Sequence, residues 1–267
     1  MKLKTAIVCA LCALSVALFL ASTRAAGQAV NVAKTKDQAI DDLVYGNRIL
    51  SNEGILDAFG HISVRDPQDP THFYMSRGIA PSQVTAKDIL KYDMQCNAVD
   101  APPNTGYGER FIHCGVFRAR PDVNVVIHAH SLPLIPFGLT KTPLRPLFLM
   151  AGWMGTDGVP IFDIRDVAPD TNIMVTSNMF GDALAKVLGK NNIVLMRGHG
   201  ETVVGTSVQE AVVHAYYAVV NAQLQADSMK LGGNITYLTP GEAANSAKSV
   251  GIGRPWDMFK ARVGKIE

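Results

Sequence analysis

Three histidines are the residues of this sequence whose type and spacing best suit metal chemistry. His128 and His130 stand two positions apart at the end of an apolar run, so on an extended chain both imidazoles project from one face. His199 follows a second apolar run and could add a third nitrogen from a neighbouring strand. Each histidine alone could equally be a turn residue or a hydrogen-bonded polar residue. Together, three protein ligands with an open position are typical of a catalytic zinc site.

Glu109 supplies the carboxylate that such a site needs for proton transfer. It opens a predicted helix nineteen residues before His128. A carboxylate near a divalent cation can shuttle protons while the metal polarises a carbonyl or stabilises an enolate. The alternative is a helix N-terminal glutamate that the macrodipole favours. His113, four residues further on the same predicted helix, could face the same site or pack in the core.

The elements that must position these residues follow from the periodicity of the apolar residues. The sequence predicts helices over residues 36–50, 109–120, 180–188 and 207–231, and strands over residues 61–65, 72–76, 123–128, 193–196 and 202–204. Several adjacent strands are separated by turns that are too short for a helical crossover. The pattern therefore indicates an α/β fold with a largely antiparallel sheet and helices against its faces.

Four motifs give the chain a resemblance to the class II aldolase/adducin family. They are Glu109-Arg110-Phe111-Ile112-His113, Arg118-Ala119-Arg120-Pro121-Asp122-Val123-Asn124, His128-Ala129-His130-Ser131 and Arg197-Gly198-His199-Gly200. Their order and mutual spacing fit, and the resemblance runs over about residues 36–238. It implies a three-layer α/β/α sandwich around a mostly antiparallel sheet, usually a homotetramer with sites between subunits.

The same resemblance implies a chemistry. It assigns a divalent metal, commonly zinc, to residues matching His128, His130 and His199, and the role of catalytic acid/base to Glu109. The implied reaction cleaves a carbon–carbon bond of a small molecule through a metal-stabilised enediolate. Adducin-like members lack the metal residues and serve as binding modules. Because this chain keeps all four residues, the resemblance favours an enzyme.

Two segments depart from the sugar-phosphate members of the family. Their Gly-Asn-x-Ser, which helps to hold the substrate phosphate, matches Gly60-His61-Ile62-Ser63 here, and residues 76–82 differ from their usual Thr-Pro-Ser-Gly loop. Ser63 and Ser82 could still donate hydrogen bonds to a substrate. The segments around His61 and Arg77 look more like a branch with decarboxylases of hydroxylated aromatic acids, in which both residues could contact substrate. The alternatives are a salt bridge for Arg77 and a backbone-bonded hairpin histidine for His61.

The sequence therefore predicts a divalent-metal-dependent carbon–carbon lyase of the class II aldolase type. Its substrate would be a small hydroxylated carbonyl or carboxylate compound. Two alternatives remain open at this point: a decarboxylase of a hydroxylated aromatic acid, and a non-catalytic binding module. The formal net charge of +2 and the lack of a basic run interleaved with aromatic residues argue against a nucleic-acid partner.

The first 25 residues are predicted to be a secretory signal. Two lysines precede residues 5–21, an uncharged run of 17 residues, and small residues follow it. Cleavage is predicted after Ala25, with Ala29 as a second possible site; the alternative is an uncleaved membrane anchor. Removal of this segment takes away three basic residues and no acidic residue. The remaining chain would be near neutral, secreted or periplasmic, and without a stable membrane span.

Outside the signal, the chain is predicted to form one domain over residues 30–240 and a C-terminal tail over residues 241–267. The tail is rich in Gly, Ala and Ser and is predicted to be loose, with Trp256 and Phe259 as docking points. Two cysteines remain, Cys96 and Cys114. They could pair in an oxidising compartment, although a buried free thiol is the favoured interpretation for Cys114.

Overall fold

The computed structural model describes residues 32–102 and 105–266, and the predicted signal lies outside them. Within this part of the chain the strands are β1 (His61–Arg65), β2 (His72–Ser76), β3 (Ile89–Asp93), β4 (Val125–Ala129), β5 (Ile161–Phe162), β6 (Ile193–Met196) and β7 (Gly200–Gly205). The α-helices are α1 (Lys36–Asn52), α2 (Phe111–Ala119), α3 (Ile135–Leu139), α4 (Asn178–Leu188), α5 (Val208–Leu231), α6 (Pro240–Ser249) and α7 (Gly253–Val263). None of the described helices is long and apolar enough to cross a bilayer.

The strands form one sheet in the order β3-β2-β1-β4-β7-β6-β5. Every pair is antiparallel except β5 and β6, which run parallel. Strand β4 lies at the centre, and its register sets His61 of β1 opposite His128 and Thr202 of β7 on the other side of His128. The mostly antiparallel sheet confirms the prediction from the short turns between strands.

Helices cover both faces of the sheet, which makes the predicted three-layer α/β/α sandwich. Alternate residues of β4 enter two separate apolar cores: Ile127 packs in the core beneath α1 and α5, and Val126 packs in the core beneath α2 and α4. Side chains two apart on a strand share a face. His61, Ser63 and His128 therefore lie on the α2 side of the sheet, which sets them beneath the helix that carries His113.

The prediction of a loose C-terminal tail is wrong. Residues 240–263 form α6 and α7, and Thr239 and Glu242 close a capping box at the start of α6. Trp256 and Phe259 of α7 are buried in the core beneath α1 and α5, as docking points would be. The abundance of small and polar residues concealed the helices, although the Thr-x-x-Glu spacing was a readable start signal.

The cysteines form a disulfide, so the free-thiol interpretation of Cys114 is also wrong. Cys96 in the turn after β3 bonds to Cys114 of α2, with a Cα–Cα separation of 5.8 Å. Both residues are completely buried in the core beneath α2 and α4. The bond ties the turn to the helix that starts beside Glu109. Sequence could not decide this pairing because it depends on how α2 lies against the β3 turn.

Replacing both cysteines by serine should lower the free energy of unfolding by about 3 kcal/mol, the expected effect of opening a loop of this size. The cysteines are separated by 18 residues. For a domain of this length the loss corresponds to a melting temperature lower by roughly 6–12 °C. Calorimetry of the oxidised protein, the reduced protein and the double variant measures it. The reduced wild type should have the same melting temperature as the double variant. A melting temperature that does not change on reduction would contradict the disulfide between Cys96 and Cys114.

Candidate metal centre

Four side chains from separate parts of the chain converge at one end of β4. His128 is the penultimate residue of the strand, His130 follows the strand, His199 lies in the turn between β6 and β7, and Glu109 precedes α2. One ligand atom from each lies within 4.8 Å of the others. The Nε2 atoms of His128 and His130 are 3.2 Å apart. Oε2 of Glu109 lies 3.3 Å from Nε2 of His199 and 3.7 Å from Nε2 of His128.

The three imidazoles are held in a common orientation by bonds to their other nitrogen. Each Nδ1 pairs with a protein oxygen: His128 with the carbonyl of Glu201 at 3.0 Å, His199 with the carbonyl of Ile173 at 3.0 Å, and His130 with the carboxylate of Asp57 at 3.1 Å. Carbonyl and carboxylate oxygens can only accept, so each Nδ1 donates. The lone pair of each neutral ring is therefore on Nε2, and the three Nε2 atoms face the cluster. Such outer hydrogen bonds are the usual companions of metal-binding histidines.

Two glycines of the Arg-Gly-His-Gly motif allow the β6–β7 turn to reach this place. Gly198 has a φ of +64°, a conformation that other residues rarely adopt. At Gly200 a Cβ would collide with the carbonyl of Ala129 in β4. The absence of a side chain there lets β7 lie close against β4, which carries His199 to within a ring-centroid distance of 4.9 Å from His128.

The protonation states around Glu109 suit a cation. Burial raises the pKa of the Glu109 carboxyl, but hydrogen bonds and charge interactions with His128 and His199 outweigh it and hold that pKa far below its ordinary value. Those interactions require a proton on Nε2 of the histidines, at the position that a cation would take in the metal-bound form. Oε1 accepts from the backbone N–H of Val175 at 2.7 Å, which leaves Oε2 for the cluster. Burial lowers the pKa of His128, a larger influence than the opposing attraction of Glu109. Metal binding would displace the protons on Nε2 and leave a carboxylate beside neutral imidazoles.

The donor set fits a divalent metal ion. Three neutral imidazoles and one carboxylate are ligands that zinc accepts. Two nitrogen ligands of one tetrahedral zinc ion stand about 3.3 Å apart when each bond is 2.0–2.1 Å. The observed 3.2 Å between the Nε2 atoms of His128 and His130 matches that spacing. Nearby nitrogens that both present lone pairs repel each other unless a cation lies between them.

Of the four predicted substrate contacts, the structure brings His61 to this centre. The rings of His61 and His128 have centroids 5.2 Å apart. Ser63 lies two residues along β1, where its hydroxyl bonds to His113 and to none of the four cluster residues. Arg77 is nearly half exposed and pairs with Asp88 at 2.7 Å. Ser82 is exposed, and its carbonyl accepts from the guanidinium of Arg48. Among the described residues, neither Arg77 nor Ser82 forms a hydrogen bond or ion pair with the four-residue cluster.

Sequence reasoning did not find two acidic residues that support the histidines, Asp57 through its carboxylate and Glu201 through its backbone carbonyl. Asp57 lies in the loop before β1, and nothing in its spacing pointed to His130. Glu201 stands two residues after His199 and is almost completely buried, with its carboxyl hydrogen bonded to the hydroxyl of Ser131 at 2.5 Å. A glutamate inside an otherwise apolar strand was an available signal, because such residues are rarely buried without a partner.

Glu201 should give the metal-free protein a measurable pH dependence of stability. Burial raises its pKa to about 8, hydrogen bonds from Ser131 lower it by less, and the charge of Asp57 raises it further. The folded state thus holds this proton more tightly than the unfolded chain, whose ordinary pKa is 4.5. The resulting stability is complete below pH 4.5 and is lost as the pH rises through 8.

The variant Glu201→Gln cannot ionise at this position. Urea unfolding of the chelator-treated proteins should show wild type losing stability relative to the variant as the pH rises across that window. Parallel pH profiles for the two proteins would show that Glu201 has no raised pKa.

Comparison with known proteins places the chain in a family. The family model described as Class II Aldolase and Adducin N-terminal domain matches residues 41–226, and the chain belongs to this family. Members whose chemistry is that of class II aldolases use a divalent metal, in agreement with the donor set around His128.

Two of the relatives that the chain resembles are decarboxylases. The chain is 35% identical over 201 residues to the decarboxylase tropJ of Talaromyces stipitatus, which covers 70% of this chain and 75% of that protein. It is 28% identical over 210 residues to the 3,4-dihydroxyphthalate decarboxylase of Arthrobacter keyseri, covering 74% and 81%. A crystal structure of an aldolase II superfamily protein from Pseudomonas syringae superimposes with a TM-score of 0.71 at 21% identity, covering 87% of this chain and 94% of that one. The last comparison shows the fold alone.

Proposed function

We propose that this protein is a zinc-dependent carbon–carbon lyase that decarboxylates a hydroxylated aromatic acid. The observation that carries the proposal is the convergence of three Nε2 lone pairs and one carboxylate within 4.8 Å. Similarity to two decarboxylases favours loss of carbon dioxide over aldol cleavage. The replacement of the phosphate-site Asn by His61 also favours a substrate without a phosphate group.

The residues of the centre would have two separate roles in the reaction, metal binding and proton transfer. His128, His130 and His199 would hold the metal, which when bound would chelate neighbouring carboxylate and hydroxyl oxygens and stabilise negative charge on the substrate. Glu109, held as a carboxylate, takes the proton of the substrate hydroxyl. The carbon–carbon bond then breaks, carbon dioxide leaves, and the electron pair stays on the ring carbon. Glu109 returns the proton to that carbon, so the carboxylate is regenerated and atoms balance.

Aldol cleavage remains the second candidate because the same four residues serve it. In that reaction Glu109 would take a hydroxyl proton from a hydroxy ketone and an aldehyde would leave. The two reactions differ in the product released, and a binding module would release neither. The site itself does not separate them, since both need a cation and one acid/base.

A product assay with metal analysis tests the proposal. Purified full-length protein is analysed for bound metals. It is then incubated with dihydroxybenzoates and with hydroxy ketones, some of which carry a phosphate group and some of which do not. We expect stoichiometric zinc, carbon dioxide from the aromatic acids, and loss of activity with a chelator. Aldehyde release alone would replace the decarboxylase by an aldolase. Negligible metal with no turnover would reject the lyase altogether.

We propose further that the protein acts outside the cytoplasm, in the periplasm or as a secreted enzyme. The buried disulfide between Cys96 and Cys114 supports this, because such bonds persist in oxidising compartments. The basic start and uncharged run of residues 1–25 support it independently. Fusion of residues 1–31 to a reporter that is active only after export tests it; an inactive reporter would contradict the location.

A further inference from the structure

Three buried side chains form a hydrogen-bonded series that ends beside the metal centre. Oγ of Ser63 lies 2.6 Å from Nδ1 of His113, and Nε2 of His113 lies 2.7 Å from Nδ1 of His61. The three residues are at most 1% exposed. The ring of His61 then contacts the rings of His128 and Tyr107, at centroid distances of 5.2 and 4.6 Å. The series therefore links the interior of β1 and α2 to a ring that lies against His128 of the cluster.

The hydrogen bond between the two rings joins Nε2 of His113 and Nδ1 of His61, which are 2.7 Å apart. One of these nitrogens must carry the shared proton, and the other must present a lone pair. An imidazole that accepts through Nδ1 carries its own proton on Nε2. The direction of this bond therefore decides which nitrogen of His61 can donate.

The hydroxyl of Ser63 sets that direction. Among the described residues His113 is the partner that hydrogen bonds to its Oγ. If the hydroxyl accepted from His113, its own proton would be a buried donor without an acceptor, at a cost of about 1–3 kcal/mol. Ser63 therefore donates to Nδ1 of His113. The N–H of His113 is then on Nε2 and donates to Nδ1 of His61, so the N–H of His61 is on Nε2.

We propose that Ser63 and His113 are positioning residues that fix the ring of His61, which presents its Nε2–H to a negatively charged oxygen of the substrate. Among the described residues no group hydrogen bonds to this nitrogen, and the ring edge that carries it is opposite His113. The proposal rests on the proposed function and deepens it. It limits the substrate at this position to an acceptor, such as a phenolate or carboxylate oxygen, and disfavours an amine or other donor.

The direction of the series can be observed without activity. In protein labelled with ¹⁵N-histidine, two-bond nitrogen–proton correlations locate each imidazole proton, and coupling across the hydrogen bond links the two nitrogens. We expect the shared proton on Nε2 of His113, coupled to Nδ1 of His61, and a second proton on Nε2 of His61. A shared proton bonded to Nδ1 of His61 would overturn the proposal. This readout holds even if the proposed reaction is wrong.

The effect on a bound oxygen is tested with 4-nitrocatechol, a coloured catechol that chelates metals. In His113→Leu, zinc content should stay unchanged while nitrocatechol affinity falls roughly tenfold or more, the loss of one hydrogen bond to a charged group. His113→Gln retains a donor for His61 and should recover most of the affinity. With a substrate from the panel, His113→Leu should reduce kcat more than it raises KM.

A matched control is His214→Leu, which removes a buried histidine that stacks on Trp153 in the opposite helical layer. It should leave nitrocatechol affinity unchanged. Equal affinities for wild type and His113→Leu would overturn the positioning role. If wild type binds no zinc and no nitrocatechol, the proposed function fails, and the NMR experiment alone decides the direction of the series.

Discussion

His128→Ala should lose zinc and all measurable lyase activity. The variant removes the one completely buried ligand of the cluster, whose Nε2 lies within 4 Å of both His130 and Glu109. Transition-state stabilisation by a catalytic metal is worth several kcal/mol, so activity should fall by about a thousandfold or more. Metal content by elemental analysis and initial rates with added zinc measure the two losses separately.

Two further variants keep the His128 result interpretable. His130→Ala removes a partly exposed ligand, whose side chain is 20% exposed, so its loss opens a smaller internal void. It should also lose zinc. His72→Ala removes the histidine at the far end of the β1–β2 hairpin, where it pairs with Asp69, and should keep both metal and activity. Full metal content in His128→Ala and His130→Ala would reject the centre.

Glu109→Gln should separate proton transfer from metal binding. The amide oxygen can still accept from the N–H of Val175, so the side chain stays in place. The three imidazoles remain, and zinc should be retained near the wild-type level. Loss of the acid/base should lower kcat by about 10²–10⁴-fold, the usual contribution of such a group. Steady-state kinetics with parallel metal analysis of the same preparations gives both values.

The Glu109 variant also separates an enzyme from a binding module. A module that uses the cluster only to hold a ligand would lose little on this change apart from stability. Unchanged ligand affinity with no turnover in either protein would therefore favour the module. Unchanged kcat would instead show that another group carries the proton.

The sequence predicts the strands of this protein better than its C-terminal helices and its disulfide. Strands 61–65, 72–76 and 193–196 agree with β1, β2 and β6 to the residue, because each is an apolar or alternating run bounded by turn residues. Helix α2 begins at Phe111, two residues later than predicted, so Glu109 lies in the turn before it. Helix α6 was not predicted because it buries only small residues, Ala243 and Ser246, and α7 because it buries only Trp256 and Phe259.

The three histidines of the cluster could be predicted because the ends of strands can be recognised in the sequence. The oxygen atoms that orient their rings could not be predicted. His128, His130 and His199 each follow an apolar run, and one antiparallel sheet brings those ends together. The oxygens that orient the rings come from Asp57, Ile173 and Glu201, two of which act through the backbone carbonyl. Backbone groups have no sequence signature. The bond between the side chains of Ser63 and His113 joins residues that are 50 positions apart, and no spacing in the sequence indicates it.

The histidines that would hold the metal come from places that lie far apart along the chain: residues 128 and 130 at the end of β4, and residue 199 in the β6–β7 turn. An unfolded chain cannot bring them together, so a cation that they bind selects the folded state. By mass action, free metal at a hundred times its dissociation constant adds about 2.7 kcal/mol to the stability of the fold. The rate at which proteases degrade this protein would then depend on the concentration of free metal around it. In a metal-poor environment the protein would lose its activity and would also be degraded faster.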